Sequence, residues 1–307
     1  MITILLATYN GEKYLSEQIN SLLNQSFKDF KILVRDDGST DGTLDVLNRF
    51  INDYPQKITL LNDRTPTGSS ARNFFRLLSA VDDDYVMFCD QDDFWLPQKI
   101  EKTFEKMKML EKEHGDIPLL VHSDLSVVDA ELNLINKSFF DFQKISPERD
   151  RLNNLLVQNN VTGCTAMINR KMLMLAKDEP ISCAMHDWWI ALLAAAFGKA
   201  DFISEPLILY RQHGGNRVGA KNASGMEFIK RKIKDRKKTA KNYNDAYLQA
   251  SELLRIHGEK MSESDRETVA AFASLKTSSK IKKIKLINKY DFKKNTFIRN
   301  IGQYISI

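Results

Sequence analysis

The chain has 307 residues, 43% of them hydrophobic and 28% charged, with a formal net charge of +5. These proportions are ordinary for a globular protein and exclude a disordered or fibrous chain, and the longest late apolar run, Ile190 to Phe197, is too short to span a bilayer. Cys89, Cys164 and Cys183 are widely separated and form no C-x-x-C pair, which argues against a zinc site or disulfide framework and for a reducing compartment.

Ile2 to Ala7 reads as a buried strand that breaks at Thr8-Tyr9-Asn10-Gly11, unlike a secretory segment. The expected location is therefore the cytoplasm, free or peripheral on the inner face of the cell membrane. A helix follows from about Tyr14 to Asn24, with Leu15, Ile19, Leu22 and Leu23 on one face, and Phe30 to Val34 is a second strand. Arg35 to Thr43 forms the next loop, where Asp36 and Asp41 shape turns and Gly38 and Gly42 are expected at positive φ. Leu44 to Phe50 continues as a helix, Ile58 to Leu61 as a third strand, and Gly68-Ser69-Ser70 leads into another helix. Strands alternating with helices predict a mostly parallel, Rossmann-like sheet with helices on both faces, an α/β architecture.

The fourth strand, Tyr85 to Cys89, ends in Asp90-Gln91-Asp92-Asp93, and Leu96-Pro97 then opens a helix over Gln98 to Glu113. The acids thus sit outside the carboxyl end of a strand, where open α/β sheets bind ligands. Residues two apart in extended chain face the same side, so Asp90 and Asp92 can share a pocket. A hard divalent cation, Mg²⁺ or Mn²⁺, suits such a pair; a solvated turn capping the next helix is the plain alternative. No G-x-G-x-x-G follows the first strand and no Walker sequence occurs, which disfavours a dehydrogenase or P-loop NTPase.

Ala-Thr-Tyr-Asn-Gly after the first strand, Asp-Asp-Gly-Ser-Thr-Asp-Gly-Thr after the second and Asp-Gln-Asp-Asp after the fourth together resemble the family 2 glycosyltransferases of the GT-A fold. Met185-His186-Asp187-Trp188-Trp189 and Tyr210-Arg211-Gln212-His213-Gly214-Gly215-Asn216-Arg217-Val218-Gly219 are similar to the bacterial rhamnosyltransferase branch. The resemblance covers roughly residues 1–220. It implies a GT-A domain over 1–222, with 1–95 as the nucleotide-sugar half and 96–222 as the acceptor half, and a helical extension over 223–307.

By that resemblance, Thr8 and Tyr9 meet the donor nucleotide, Asp37 accepts the imide proton of uracil or thymine, and Arg72, Asp90 and Gln91 complete the donor side. Asp92, Asp90 and His213 would hold Mg²⁺ or Mn²⁺. Asp187 would be the general base, and Gly163, Cys164, Trp188 and Trp189 would line the acceptor side. The residues alone also allow a Tyr9 that closes the core, a surface Arg72, a surface His213 and an Asp187 that caps a helix over core tryptophans. Cys164 has no adjacent base and reads as packing. Gly214, Gly215 and Gly219 suggest a lid.

The implied reaction is inverting, metal-dependent transfer of a sugar, L-rhamnose from dTDP-L-rhamnose, onto a lipid-linked or polysaccharide acceptor for capsule or cell wall. A UDP-hexose or UDP-N-acetylhexosamine donor on the same machinery is the first rival. A nucleotidyltransferase and a non-catalytic carbohydrate-binding scaffold are others. Beyond about Met226 the chain reads as basic helices. Ile281, Ile284, Leu286, Ile287, Tyr290 and Phe292 interleave with lysines, a mixture that suits an anionic membrane surface, a helical cap or a homodimer contact. No nucleic-acid-binding signature accompanies the basic charge, so no nucleic acid is expected.

Overall fold

A computed structural model of the chain describes residues 1–63, 65–214 and 236–306. The boundary expected at 222/223, the glycines at 215 and 219 and the basic run Lys230 to Asp235 lie outside the described residues. The first half alternates as the sequence predicts: β1 (Ile2–Thr8), α1 (Glu12–Leu23), β2 (Phe30–Asp36), α2 (Thr43–Asp53), β3 (Ile58–Leu60), α3 (Ser70–Ser79) and β4 (Tyr85–Cys89). Next come β5 (Phe94–Trp95), α4 (Lys99–His114), β6 (Leu119–Val128), β7 (Leu134–Asn136), α5 (Phe139–Gln143), α6 (Leu152–Val157), β8 (Met167–Asn169), α7 (Arg170–Ala176), α8 (His186–Phe197) and β9 (Lys199–Arg211). The described helices at the C-terminal side are α9 (Arg236–His257), α10 (Glu263–Ser274), α11 (Lys280–Lys289) and α12 (Phe297–Ser306).

One sheet runs in the order β3-β2-β1-β4-β8-β6-β9-β5, with β7 beside β6. β3, β2, β1 and β4 are parallel. Past β4 the sheet is mixed: β8 is antiparallel to both β4 and β6, whereas β6 and β9 are parallel. The parallel register pairs Thr8 with Asp36 and Leu6 with Cys89. That register brings the loops after β1, β2 and β4 to one edge, because parallel strands end together.

Alternation along the strands feeds two apolar layers. Ile4, Leu6, Met87 and Cys89 face the side covered by α1, α2 and α4, where Leu15, Ile19, Leu47 and Ile100 pack. Leu5, Val86 and Phe88 face α3, α7 and α8. Helix α8 is apolar nearly all round, as a helix buried on every side must be. The second layer also takes in Tyr247, Leu253, Phe272, Ile287 and Phe292, so the C-terminal helices share a core with the sheet. This changes the expected apolar face of the lysine-rich run: Ile287 and Phe292 are buried, and Ile284, Leu286 and Tyr290 are half-buried. Of that set only Ile281 stands exposed.

Candidate active site

The loop after β1 is tied to the acidic loop by a side-chain amide. The Tyr9 N–H donates to Gln91 Oε1 at 2.8 Å, and Gln91 Nε2 donates to the Tyr9 carbonyl at 2.9 Å. A Cβ at Gly11 would stand 2.3 Å from Gln91 Oε1, so only glycine leaves room for this clamp. Gln91, expected on the donor, is therefore engaged by protein. The Tyr9 ring is 57% exposed, which sets aside a core-closing tyrosine and leaves a flat platform at the strand edge. Thr8 is buried, and its hydroxyl donates to Asp36 Oδ1 at 2.9 Å.

The two acids after β2 are both committed to loop structure. Asp36 accepts from the Gly38 and Ser39 amides and the Ser39 hydroxyl, and Asp41 accepts from Thr43 and the Glu12 N–H. Gly38 has φ +86°, whereas Gly42 has φ −72° and caps α2 without the left-handed turn expected of it. Asp37 accepts from Arg35 Nη1, from the Thr67 N–H and hydroxyl, and from the Gly68 N–H, at 2.7 to 3.0 Å. Its lone pairs become available to an imide proton only if the segment 67–68 lets go.

Arg35 was not singled out in the sequence, yet it organises this corner. It is fully buried, pairs with Asp37 at 2.9 Å and Asp63 at 3.1 Å, and donates to Asn73 Oδ1 and the Thr65 carbonyl. The one signal for it was a charged residue directly after the apolar run Ile32-Leu33-Val34, where burial demands partners. Arg72, one residue before Asn73, is exposed and lines a polar recess of about 240 Å³ with Ser69, Phe75, Pro180, Ser182 and Asp245.

In the acidic loop, Asp92 and Asp93 point opposite ways. Asp92 Oδ2 lies 2.8 Å from His213 Nε2, across 121 residues of chain. Asp93 is fully buried and accepts the Arg211 N–H at 3.1 Å. Arg211 Nε donates to the Asp92 carbonyl at 2.9 Å, and the guanidinium also reaches the Ala130 carbonyl and Glu17. Its Cζ sits 4.6 Å from the centre of the Tyr14 ring, on which His213 also packs at 4.7 Å. Arg211 and Tyr14 thus hold the loop and the imidazole together, a part that the sequence assigns to neither, because their partners are remote in the chain.

Asp90 keeps an accessible edge, yet burial and the charges of Asp92 and Asp187 push its carboxyl up to about 7. The residues acting on it are acidic, so a cation is the natural complement. Asp92 and His213, in contact at 2.8 Å, are an oxygen and an imidazole donor of the kind expected for Mg²⁺ or Mn²⁺. Asp90, expected to join them, is grouped instead with Asp93 and Cys164: among the described residues these are the three whose donor atoms lie within 4.8 Å of one another. Burial, Asp93 and Asp90 drive the Cys164 thiol well up, so it stays protonated and is a poor ligand for a hard ion.

Asp187 lies in the first turn of α8, with Oδ2 accepting the Gly163 N–H at 3.0 Å and Oδ1 the Trp188 N–H at 2.6 Å. A Cβ at Gly163 would meet His186 Nε2 at 2.7 Å, so the close approach behind Asp187 requires glycine. Burial pushes Asp187 up to about 7, against the hydrogen bonds from Trp188 and Gly163, which lower it. Capping and a raised carboxyl thus coexist in one residue. The flanking tryptophans differ from expectation. Trp189 is fully buried in the core, and Trp188 is half-buried with Nε1 donating to the Leu155 carbonyl at 2.6 Å. Cys164 is buried, in line with packing.

The sequence profile described as Glycosyl transferase family 2 matches residues 3–174. The chain is 29% identical over 229 residues to the dTDP-rhamnosyl transferase RfbG of Shigella flexneri, covering 70% of this chain and 74% of that protein. It is 28% identical over 251 residues to the uncharacterized glycosyltransferase alr2836 of Nostoc sp., covering 76% and 74%. Among solved structures it is similar to S. aureus TarS 1–349 in complex with UDP-GlcNAc, with TM-score 0.56 and 18% identity over 94% of this chain and 80% of that one. At that identity the likeness is one of fold.

Proposed function

The chain belongs to glycosyl transferase family 2 and has the GT-A fold, and from that premise we propose an inverting, metal-dependent transferase that moves L-rhamnose from dTDP-L-rhamnose to a cell-surface polysaccharide precursor. The observation that carries the reading is the pairing of Asp92 with His213 and of Asp90 with the field of Asp187, itself raised to about 7. The relation to a dTDP-rhamnosyl transferase supports the donor.

In this reading the exposed Tyr9 ring stacks on the thymine. Asp187 takes the proton from an acceptor hydroxyl, whose oxygen bonds to the sugar C1 as the bond from C1 to the diphosphate oxygen breaks and the diphosphate leaves with the electron pair. A divalent ion held by Asp92, Asp90 and His213 would neutralise charge on the departing diphosphate. Gln91 fixes the platform to the acidic loop, and Asp37 positions the 67–68 segment over the base. The acceptor is lipid-linked or polysaccharide, and the protein works at the inner face of the cell membrane. Among the described residues no helix is long and apolar enough to cross it.

The test is thermal stabilisation by a panel of nucleotide sugars with Mn²⁺ present or chelated, because a donor that binds only the folded state raises the Tm. dTDP-rhamnose with metal should stabilise the protein, and Asp92→Ala should remove the metal dependence. Stabilisation by UDP-sugars alone would overturn the donor. No response to any nucleotide sugar would favour a non-catalytic scaffold.

A further inference from the structure

Helix α12 turns its polar side inward. Gln303 is 3% exposed and donates Nε2 to the Phe292 carbonyl at 2.8 Å. Arg299 donates to the Gln143 carbonyl at 2.6 Å, Asn300 exchanges two bonds with the Lys294 backbone, and the Tyr304 hydroxyl donates to Asn288 on α11 at 2.7 Å. The apolar stripe of the same helix faces out: Phe297, Ile298 and Ile301 are 78%, 38% and 46% exposed. Single exposed apolar residues need no explanation. A helix that buries amides and a guanidinium while presenting phenylalanine and isoleucine at i, i+1 and i+4 does, because burying its apolar face would be the stabler choice in water.

The surroundings indicate what covers that stripe. Between 276 and 307 the chain carries nine basic residues and one acid, Asp291, and Asp291 is paired with Lys293 at 2.6 Å. On α11, which α12 touches through Tyr304, the outer stripe is Ile281, Lys282, Lys285, Asn288 and Lys289. Apolar side chains beside a field of lysines match an anionic bilayer interface, where acyl chains meet phosphate. A second copy fits poorly, since a two-fold contact would set these like charges against each other. Nucleic acid would recruit the lysines and leave the apolar stripe in water.

We propose that the α11–α12 face is a membrane-docking surface for anionic lipid, with Phe297, Ile298 and Ile301 entering the interface and the lysines of α11 at the phosphate level. The apolar contact thus belongs to α12. The α11 residues read as interfacial from sequence are largely turned to the core. The face does not depend on which sugar the site transfers.

The experiment is co-sedimentation of the full chain with phosphatidylcholine vesicles, with and without about one third phosphatidylglycerol, beside a Phe297→Trp variant read by fluorescence. The parent should bind the anionic vesicles and lose much of that binding at high salt. Phe297→Ser/Ile301→Ser should bind about tenfold more weakly at unchanged Tm, and the fluorescence difference between Phe297→Trp and the parent should shift to the blue on anionic vesicles only. Equal binding of the double variant, no binding by the parent, indifference to lipid charge or an unshifted emission from the introduced indole would overturn the proposal. So would a dimer in ultracentrifugation that Phe297→Ser/Ile301→Ser abolishes, which would assign the stripe to a second copy.

Discussion

If Asp187 is the general base, its raised pKa sets the acid limb of the rate profile. A base works ionised, so activity must fall as pH drops through the folded value. At about 7, the carboxylate is roughly nine-tenths ionised at pH 8, half at pH 7 and about a tenth at pH 6. kcat/KM should therefore fall about tenfold from pH 8 to pH 6 at saturating Mn²⁺. An aspartate at the ordinary 3.8 would give a flat profile over that range. Asp187→Asn keeps the size of the side chain and its acceptor oxygen toward Gly163 but cannot take a proton. It should lower kcat by about 10² to 10⁴ with the donor Kd unchanged. The assay is release of nucleoside diphosphate for rates and calorimetry for donor binding. A flat profile between pH 6 and 8, or an Asn variant within a few-fold of the parent, would refute the role.

Gln91→Ala removes both bonds to the Tyr9 backbone. At about 1 kcal/mol each, their loss should weaken donor binding by up to about thirtyfold; an unchanged Kd in calorimetry would show that the clamp is irrelevant to the nucleotide. Gly11→Ala should act in the same direction, since its Cβ displaces Gln91. His186 lies buried between Phe74 and Phe88, and burial holds it at about 3. The folded imidazole refuses a proton that the unfolded one takes near 6.5, so its share of stability is full above 6.5 and is lost as pH falls from there towards 3. Relative to the parent, His186→Met should gain about 2 kcal/mol between pH 8 and pH 5 in denaturant unfolding. Identical pH slopes would mean that His186 does not titrate this way.

The order of strands and helices as far as β4 was legible because its causes are local. Ile2 to Ala7 and Tyr85 to Cys89 are apolar with little interruption, and the turn residues at 8–11, 36–43 and 90–93 stand where those runs stop. Parallel strands entered from the same end must finish at the same edge, so Tyr9, Asp37, Asp90 and Asp92 were bound to gather once the sheet formed. The mixed half was less legible, because β8 and β5 are only three and two residues long and pair with strands far away in the chain.

What only the tertiary structure decided is the direction in which each side chain uses its donors and acceptors. Asp92 meets His213, but Asp93 beside it turns inward to Arg211. Gln91 clamps Tyr9, Asp37 is enclosed by Arg35, Thr67 and Gly68, and Trp189 belongs to the core. The lysine-rich run and α12 look alike as amphipathic patterns, yet one packs its apolar face and the other presents it. Periodicity states that a helix has two faces. Which face is covered depends on what lies opposite, and a buried polar group takes whichever partner the fold brings within reach, often remote in the chain.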